Sequence, residues 1–158
     1  MWLEPATVKP TPEALEAVRN ADVIVLGPGS LFTSIIPNVL VPGMTEAIVK
    51  SRAVKIAICN LMTQPGETPR FTVSDHIQAL VGHSDRRLFE YVVVNVDPLS
   101  PLVLERYARE GAEPVQLDDQ ALRHRDYSIV KARLVVSDAF ARHDPAKLAR
   151  CIMKIVSI

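Results

Sequence analysis

Three short apolar runs constrain the fold of this chain more than any other feature of its sequence. They read VIVL at 23–26, KIAIC at 55–59 and YVVV at 91–94. Runs of this kind, rich in β-branched residues, are typical of strands that are buried on both faces of a parallel sheet. Segments with helical character separate them. This alternation predicts an α/β fold with a mostly parallel sheet and flanking helices.

Helix-start signals place most of the remaining elements. Thr11 and Asp144 each precede a proline, which combines a capping side chain with the residue preferred at the first helical position. Between 27 and 42 we expect a loop with at most one helical turn, because Pro37 and Pro42 interrupt it. The predicted helices cover 12–20, 45–51, 73–82, 101–110 and 145–156, and two weaker strands are predicted at 114–116 and 128–134.

Length and charge restrict the class of protein. The 158 residues predict one domain, 1–158, that can bury a core of its own. With 18 basic and 18 acidic side chains, there is no excess positive charge to attract nucleic acid or an anionic membrane surface. No apolar run approaches the roughly 18–20 residues of a spanning helix. The first ten residues do not resemble a secretory signal, so we expect no membrane insertion.

The two cysteines suggest a compartment. Cys59 and Cys151 lie far apart in the sequence and share no spacing typical of metal ligands. Free thiols that need no partner are most common in a reducing environment. A cytoplasmic location is therefore expected.

Glycine, hydroxyl and amide residues follow each of the three strong strands directly. Since parallel strands end at the same edge of a sheet, the three loops should meet at its carboxyl edge, where open α/β sheets bind ligands. Glycines let the backbone approach an anion, and amides and hydroxyls donate to phosphate oxygens. The pattern predicts a phosphorylated ligand. The residues concerned are Gly27, Gly29, Ser30, Thr33 and Ser34 in the first loop, Asn60, Thr63, Gln64, Gly66, Glu67 and Thr68 in the second, and Asn95 and Asp97 in the third.

Each loop also has a purely structural interpretation. GPGS after a strand can be a simple turn, and it matches neither the dinucleotide-binding fingerprint nor the P-loop. QPGET contains Pro-Gly, a strong turn dipeptide. Asn95 and Asp97 could serve only to cap the helix that begins near Pro101. The residues alone leave both interpretations open.

Other polar residues give weaker signals. Asp75–His76 and His143–Asp144 are adjacent pairs without a third ligand at fixed spacing, so a metal site is not favoured. His83 and His124 are expected to be solvated. The segment 123–133 is predicted to be an exposed basic face, with a phosphate clamp as the alternative. No Ser-His-Asp or Cys-His spacing supports a nucleophilic enzyme.

Several segments together resemble one protein family over almost the whole chain. They are ADVIVLGPGSLFTSIIPNVLVPGMTEAI, ICNLMTQPGET, SDHIQAL, EGAEPV and ARHDPAKLA, in that order. The chain resembles the gluconeogenesis factor family, the YvcK-like proteins, which are related to 2-phospho-L-lactate transferase (CofD-like). The resemblance implies a Rossmann-like fold that binds UDP-sugars, notably UDP-N-acetylglucosamine. It also implies a regulatory role in carbon partitioning, gluconeogenic growth, cell-wall supply and cell shape, without a cofactor.

The resemblance also assigns roles to particular residues. It implies phosphate contacts in the first loop, further ligand contacts in the second, and nucleotide-sugar contacts on a helix and near the C-terminal end. The residues concerned are Gly27, Gly29, Ser30 and Thr33, then Asn60, Thr63 and Gln64, and finally Tyr107 and Arg142. No catalytic residue is implied.

One departure from the family is large. Family members are about twice as long and begin with a glycine-rich strand-turn that this chain lacks, so we expect the chain to correspond to their C-terminal half. The missing strands would leave a sheet edge that favours self-association, and a homo-oligomer is expected.

Two further functions remain as alternatives. One is a transferase that moves a phosphorylated acid onto a flavin-like acceptor, for which a divalent metal such as Mg²⁺ would be needed near Asp75, Asp97 or His76. The other is a structural or interaction fragment that binds no ligand.

Overall fold

A parallel four-stranded sheet forms the centre of the molecule. The computed structural model describes residues 1–5, 7–123, 126–136 and 140–157. The strands are β1 (Val23–Leu26), β2 (Val54–Ile58), β3 (Tyr91–Asn95) and β4 (Ser128–Ala132). The helices are α1 (Pro12–Asn20), α2 (Ile36–Leu40), α3 (Met44–Lys50), α4 (Val73–Gly82), α5 (Pro101–Arg109) and α6 (Pro145–Val156), and a π-helix (Leu31–Ile35) precedes α2.

The strands lie side by side in the order in which they occur in the sequence. β1 pairs with β2, β2 with β3 and β3 with β4, all in parallel. Ile58 lies beside Val93, and Val93 beside Val130. The parallel α/β sheet expected from the alternating pattern and the Rossmann-like fold implied by the resemblance are therefore confirmed.

Both faces of the central strands are covered, which explains why most residues of β2 and β3 are apolar. On one face, alternate strand residues such as Ala57 and Val92 join α2 and α4 in one core cluster. On the other face, Ile56 and Val93 pack with Ile155 of α6. Successive strand residues point to opposite faces, so each face receives every second side chain.

The segment 31–40 differs from the prediction. It forms ten continuous helical residues, the π-helix followed by α2, so the expected loop with one turn was wrong. Pro37 is the second residue of α2, which directly follows the π-helix, so its missing N–H falls at this irregular junction and not inside a regular α-helix. The amide of Ile36 donates to the carbonyl of Leu31, five residues earlier, which closes the wider turn. Buried Leu31, Ile36 and Val39 hold the segment on the sheet.

The predicted strand at 114–116 is reduced to one antiparallel bridge between Pro114 and Met62. A proline cannot donate to a strand ladder, which limits the pairing here. The strand predicted at 128–134 ends earlier, at Ala132. The other helix and strand ends lie within about a residue of their predicted positions.

No single helix in the described ranges is long and apolar enough to cross a membrane. Two neighbouring helical segments would be long and apolar enough only if they were taken as one. They are Leu31–Leu40 and Met44–Lys50, and the angle between them is 79°.

Candidate functional site

The loop after β1 passes unusually close to the end of β2. Gly27 has a φ of +90°, and a Cβ on it would lie 3.1 Å from both the Ile58 carbonyl oxygen and Ile35 Cδ1. Contacts this short are not tolerated without movement, and the positive φ disfavours every side chain. A glycine is therefore required here for the GPGS loop to reach the neighbouring strand.

Asn60, which follows β2, fixes the same loop from the other side. Its Nδ2 donates to the Gly29 carbonyl at 2.9 Å, and its Oδ1 accepts a longer bond from the Gly29 amide at 3.4 Å. The pair joins two loops that are 31 residues apart. Gly29 and Asn60 are thus brought together at the carboxyl edge.

Ser30 and Thr33 face a single carboxylate, that of Glu67. Ser30 Oγ donates to Glu67 Oε2 at 2.5 Å and Thr33 Oγ1 donates to Glu67 Oε1 at 3.3 Å. The two hydroxyls also contact each other, and the Thr33 amide donates to Ser30 Oγ at 3.2 Å. We call Ser30, Thr33 and Glu67 the hydroxyl–carboxylate cluster. It is partly open to solvent.

The backbone around Glu67 is a tight turn. The amides of Glu67 and Thr68 both donate to the Gln64 carbonyl, at 3.1 and 2.9 Å. The buried Thr68 hydroxyl accepts from the Gln64 amide at 2.9 Å. Gly66 supplies the positive φ of +81°. The turn that carries the Glu67 carboxylate is therefore held in place by several hydrogen bonds.

Thr63 and Gln64 lie beneath this turn. Thr63 is buried, and its hydroxyl accepts from the Glu113 amide at 2.9 Å. Gln64 Oε1 is buried and has no hydrogen-bond partner among the described residues. Of the two, only Gln64 retains a side-chain oxygen that is not engaged.

The polar residues after β3 are used differently. Asn95 Oδ1 accepts from the amides of Asp97 and Leu134, both at 3.1 Å, and Asn95 Nδ2 donates to the Asp97 carbonyl at 3.0 Å. Asp97 Oδ2 accepts from the Val135 amide at 3.1 Å. These side chains hold the segment after β4 against the β3 loop. The sequence had suggested that they cap α5, but Ser100 caps it.

Arg142 and Arg106 both contact the ring of Phe140, whereas among the residues that the structure describes Tyr107 is connected to this group only as the sequence neighbour of Arg106. The guanidinium of Arg142 lies 5.0 Å from the Phe140 ring centre, and that of Arg106, the neighbour of Tyr107 on α5, lies 4.5 Å from it. Both distances are typical of cation–π contacts. No hydrogen bond among the described residues joins Tyr107 or Arg142 to the hydroxyl–carboxylate cluster.

Two cavities lie along the carboxyl edge beyond the cluster. One, of about 430 Å³, is lined by residues that include Asn60, Asn95 and Gln116. The other, of about 440 Å³, is lined by residues that include Arg133, Phe140 and Lys147. Asp97, Pro98 and Leu99 line both cavities. The two are therefore neighbours, and together they extend from Asn60 to α6.

Comparison with known proteins identifies the family. The family model described as 2-phospho-L-lactate transferase CofD matches residues 1–135. The chain belongs to the CofD family.

Among curated proteins, the chain is similar to members of this family that are called gluconeogenesis factors. It is 44% identical to the gluconeogenesis factor of Halalkalibacterium halodurans over 155 residues, which is 98% of this chain and 48% of that protein. It is 36% identical to the gluconeogenesis factor of Bacillus subtilis over 157 residues, 99% of this chain and 50% of that protein. These matches confirm the resemblance stated from the sequence. The chain spans about half the length of these relatives.

A solved structure agrees with the fold. A crystal structure of a Bacillus halodurans protein superposes with a TM-score of 0.93 at 44% identity, and the match covers 96% of this chain and 49% of that chain.

The residues considered for a metal in this CofD-family chain do not form a common site. Asp75 belongs to the capping box of α4, where its carboxylate accepts from the Thr72 amide at 2.9 Å. His76 Nδ1 lies 2.9 Å from the Thr72 carbonyl, and burial lowers the pKa of its imidazole. Asp97 is occupied at the β3 loop. In the part of the chain that the structure describes, no three His, Cys, Asp or Glu side chains are grouped to hold a metal ion.

The histidines and basic residues outside the site have mostly local roles. His83, expected to be solvated, is half-buried, with Nδ1 2.7 Å from the Ala79 carbonyl and its ring against Phe32. Within 123–133, Lys131 pairs with Asp119 at 2.7 Å. His124 and Arg125 lie outside the described residues, so the predicted basic face is only partly described. Burial lowers the pKa of the His143 imidazole.

The sequence pattern includes Glu67 among the polar residues of the second loop but predicts no specific contact for it. The available signal was a lone carboxylate in the turn QPGET, directly after the strand that lies beside a hydroxyl-rich loop. A carboxylate in that place can accept from those hydroxyls.

Proposed function

We propose that this chain supplies the diphosphate-binding part of a nucleotide-sugar-binding regulatory protein, with UDP-N-acetylglucosamine as the type of ligand. One observation carries the proposal. Two hydroxyls of the glycine-containing loop, Ser30 and Thr33, donate to the two oxygens of one carboxylate. The donors are therefore oriented to hold an oxyanion. A phosphate oxygen pair has the same acceptor chemistry.

The cavities beyond the cluster support an extended ligand. They begin at Asn60 and end near Arg133 and Lys147. A ligand with its diphosphate at the GPGS loop would place its remaining part along this edge, toward Arg142 and Tyr107. Sites of about this size bind small molecules in many proteins.

The wider role is also part of the proposal. The matched relatives are named gluconeogenesis factors, and we propose that the protein acts in carbon partitioning during gluconeogenic growth, in the cytoplasm, with effects on cell wall and cell shape. Self-association through the β1 edge is proposed too. Among the described residues, β1 pairs with a strand on one side, and Val25 of β1 is exposed.

The family description favours one second candidate, a transferase of the 2-phospho-L-lactate type. It would move a phosphorylated acid onto a flavin-like acceptor with help from a divalent metal. The two functions differ in outcome, because the regulator binds without turnover whereas the transferase consumes its substrate when the metal is present.

Calorimetric titration of UDP-N-acetylglucosamine tests the proposal. The intact chain, Ser30→Ala and Arg142→Ala should be compared with Ser84→Ala and Arg109→Ala as matched controls. The Ser84 hydroxyl donates to the Leu80 carbonyl at the far end of α4, and Arg109 pairs with Glu105 on the exposed side of α5. We expect saturable binding that weakens about tenfold in the first two variants, as expected for loss of a hydrogen bond to a charged group, and is unchanged in the controls.

Absence of binding in this chain and in a full-length relative would refute the nucleotide-sugar assignment. Equal weakening in the controls would show that the effect does not come from the proposed site.

A further inference from the structure

We infer that Glu67 is an internal competitor of the ligand's phosphate group, and that it sets the affinity and selectivity of the anion site. This inference rests on the proposed function. The family assignment gives Glu67 no role, and the argument comes from the donors and acceptors that meet in the hydroxyl–carboxylate cluster.

The number of protons in the cluster is limiting. A serine or threonine hydroxyl has one proton to donate. Ser30 donates its proton to Glu67 Oε2, and the single proton of Thr33 is used either for Glu67 Oε1 or for Ser30 Oγ. Neither hydroxyl then has a proton left for a phosphate oxygen. An anion can bind these two groups only if Glu67 gives up at least one of them.

Charge acts in the same direction. Glu67 Oε2 lies 2.5 Å from Ser30 Oγ, so a phosphate oxygen bonded to Ser30 would lie within a few ångströms of a like charge. Two anions at that distance repel strongly in a partly buried site. The carboxylate must therefore move aside when the ligand enters.

The cluster also stabilises the protein when no ligand is bound. Ser30 and Glu67 are 37 residues apart, and their bond ties the loop after β1 to the loop after β2. Since the turn at 64–68 is braced by three hydrogen bonds to Gln64 and Thr68, the carboxylate is held at the donors in the absence of ligand. The loops are thus kept in a binding-ready arrangement, and the ligand exchanges one anion for another.

This exchange selects for strong anions. A monoanionic carboxylate offers nothing that Glu67 does not already supply from within the chain. A diphosphate offers more oxygens and more charge, so it can replace the carboxylate. The site should therefore discriminate in favour of phosphorylated ligands over simple carboxylic acids.

The test uses Glu67→Gln, which removes the negative charge at nearly constant shape and adds two N–H donors. Glu46→Gln is the matched control, because Glu46 pairs with Lys50 on the exposed face of α3. UDP-N-acetylglucosamine and inorganic pyrophosphate are titrated into the intact chain and both variants, once with EDTA and once with Mg²⁺. We expect Glu67→Gln to bind both ligands about ten- to a hundredfold more tightly, as for release of charge-assisted bonds, and Glu46→Gln to bind like the intact chain.

Thermal unfolding without ligand provides a second readout. Glu67→Gln should unfold at a lower temperature than the intact chain when no ligand is present, because the link between the loops is weakened. The ligand should raise the unfolding temperature of Glu67→Gln more than that of the intact chain.

The outcomes separate this inference from the proposed function. Binding to the intact chain that weakens in Ser30→Ala, combined with unchanged or weaker binding in Glu67→Gln, overturns the inference alone. Weaker binding of Glu67→Gln only with Mg²⁺ also overturns it, because the carboxylate would then hold a bridging cation. If neither the intact chain nor Glu67→Gln binds, the inference and the assignment of the phosphate site to this loop both fail.

Discussion

Three loops of similar composition follow β1, β2 and β3. The polar side chains of the first two bond to each other, whereas those of the third bond to backbone amides. Ser30 and Thr33 donate to a side chain, Glu67, that lies partly open to solvent. Asn95 and Asp97 instead accept from backbone amides of the segment after β4. Bonds between side chains at a surface can be exchanged for bonds to a ligand. Bonds to buried backbone amides cannot be exchanged without leaving those amides unsatisfied.

This difference determines which of the loops has polar groups that are free to bind a ligand. All three lie at the carboxyl edge of the sheet, where ligands bind in this class of fold. Position alone is therefore not sufficient to identify a ligand site. What distinguishes them is whether the chain already uses the polar atoms to support its own backbone.

The largest expected effect comes from Gly27→Ala, which changes the backbone geometry of the GPGS loop after β1. The new Cβ would lie 3.1 Å from the Ile58 carbonyl oxygen at a φ of +90°. We expect the free energy of unfolding to fall by about 2–4 kcal/mol, measured by urea denaturation. Gly66→Ala is the control, with a φ of +81° but no atom within 4 Å of the new Cβ, and should cost about 1 kcal/mol. Equal costs would show that close approach does not matter at Gly27.

Asn95→Ala tests the structural side of the comparison. It removes an acceptor shared by two amides and a donor to the Asp97 carbonyl. We expect a loss of about 2–3 kcal/mol in unfolding free energy, with a smaller change in affinity for UDP-N-acetylglucosamine than Ser30→Ala shows. Asn60→Ala should lose about 1 kcal/mol of unfolding free energy and bind the ligand more weakly, because the Asn60 side chain bonds to the Gly29 backbone in the GPGS loop. If Asn95→Ala weakened binding at constant stability, the distinction between the two loops would be wrong.

Most of the fold could be predicted because its signals are local. The caps Thr11 and Asp144 and the apolar runs of β2 and β3 act within a few residues of where they stand. The segment 31–40 was missed because Pro37 was taken as a helix breaker, although the preceding π-helix places it where a proline is tolerated. That placement depends on how Leu31 and Ile36 pack on the sheet, which local sequence does not contain.

The site was predicted only as an edge with three polar loops. The contacts within it join residues distant in sequence, such as Ser30 with Glu67 and Asn95 with Leu134. Composition cannot say which polar group will meet a side chain and which will meet a backbone amide. For this reason the sequence predicts no contact between Glu67 and the hydroxyls of the first loop. It also does not separate Asn95 and Asp97, which support the backbone, from the residues of the ligand loops.

The smallest expected effect belongs to Thr33→Val, which removes one hydroxyl at constant shape. The bond from Thr33 to Glu67 is long, 3.3 Å, so its loss should change the unfolding free energy by less than about 1 kcal/mol. Affinity for UDP-N-acetylglucosamine should fall about three- to tenfold in a calorimetric titration. Thr11→Val provides the reverse pattern, because Thr11 caps α1: about 1 kcal/mol of stability is lost and affinity is unchanged. Equal affinities in the two variants would remove Thr33 from the site.

The in-order arrangement of the strands has a consequence for how the chain reaches its structure. Each strand pairs with the one made just before it, so no strand must wait for a later segment to be inserted beside it. A ribosome releases the chain from its N-terminus, and a sheet of this kind can grow by one strand and one helix at a time. The GPGS loop and the turn that carries Glu67 both emerge before β3 does. The contacts of the anion site can therefore form during synthesis, before the second half of the sheet exists.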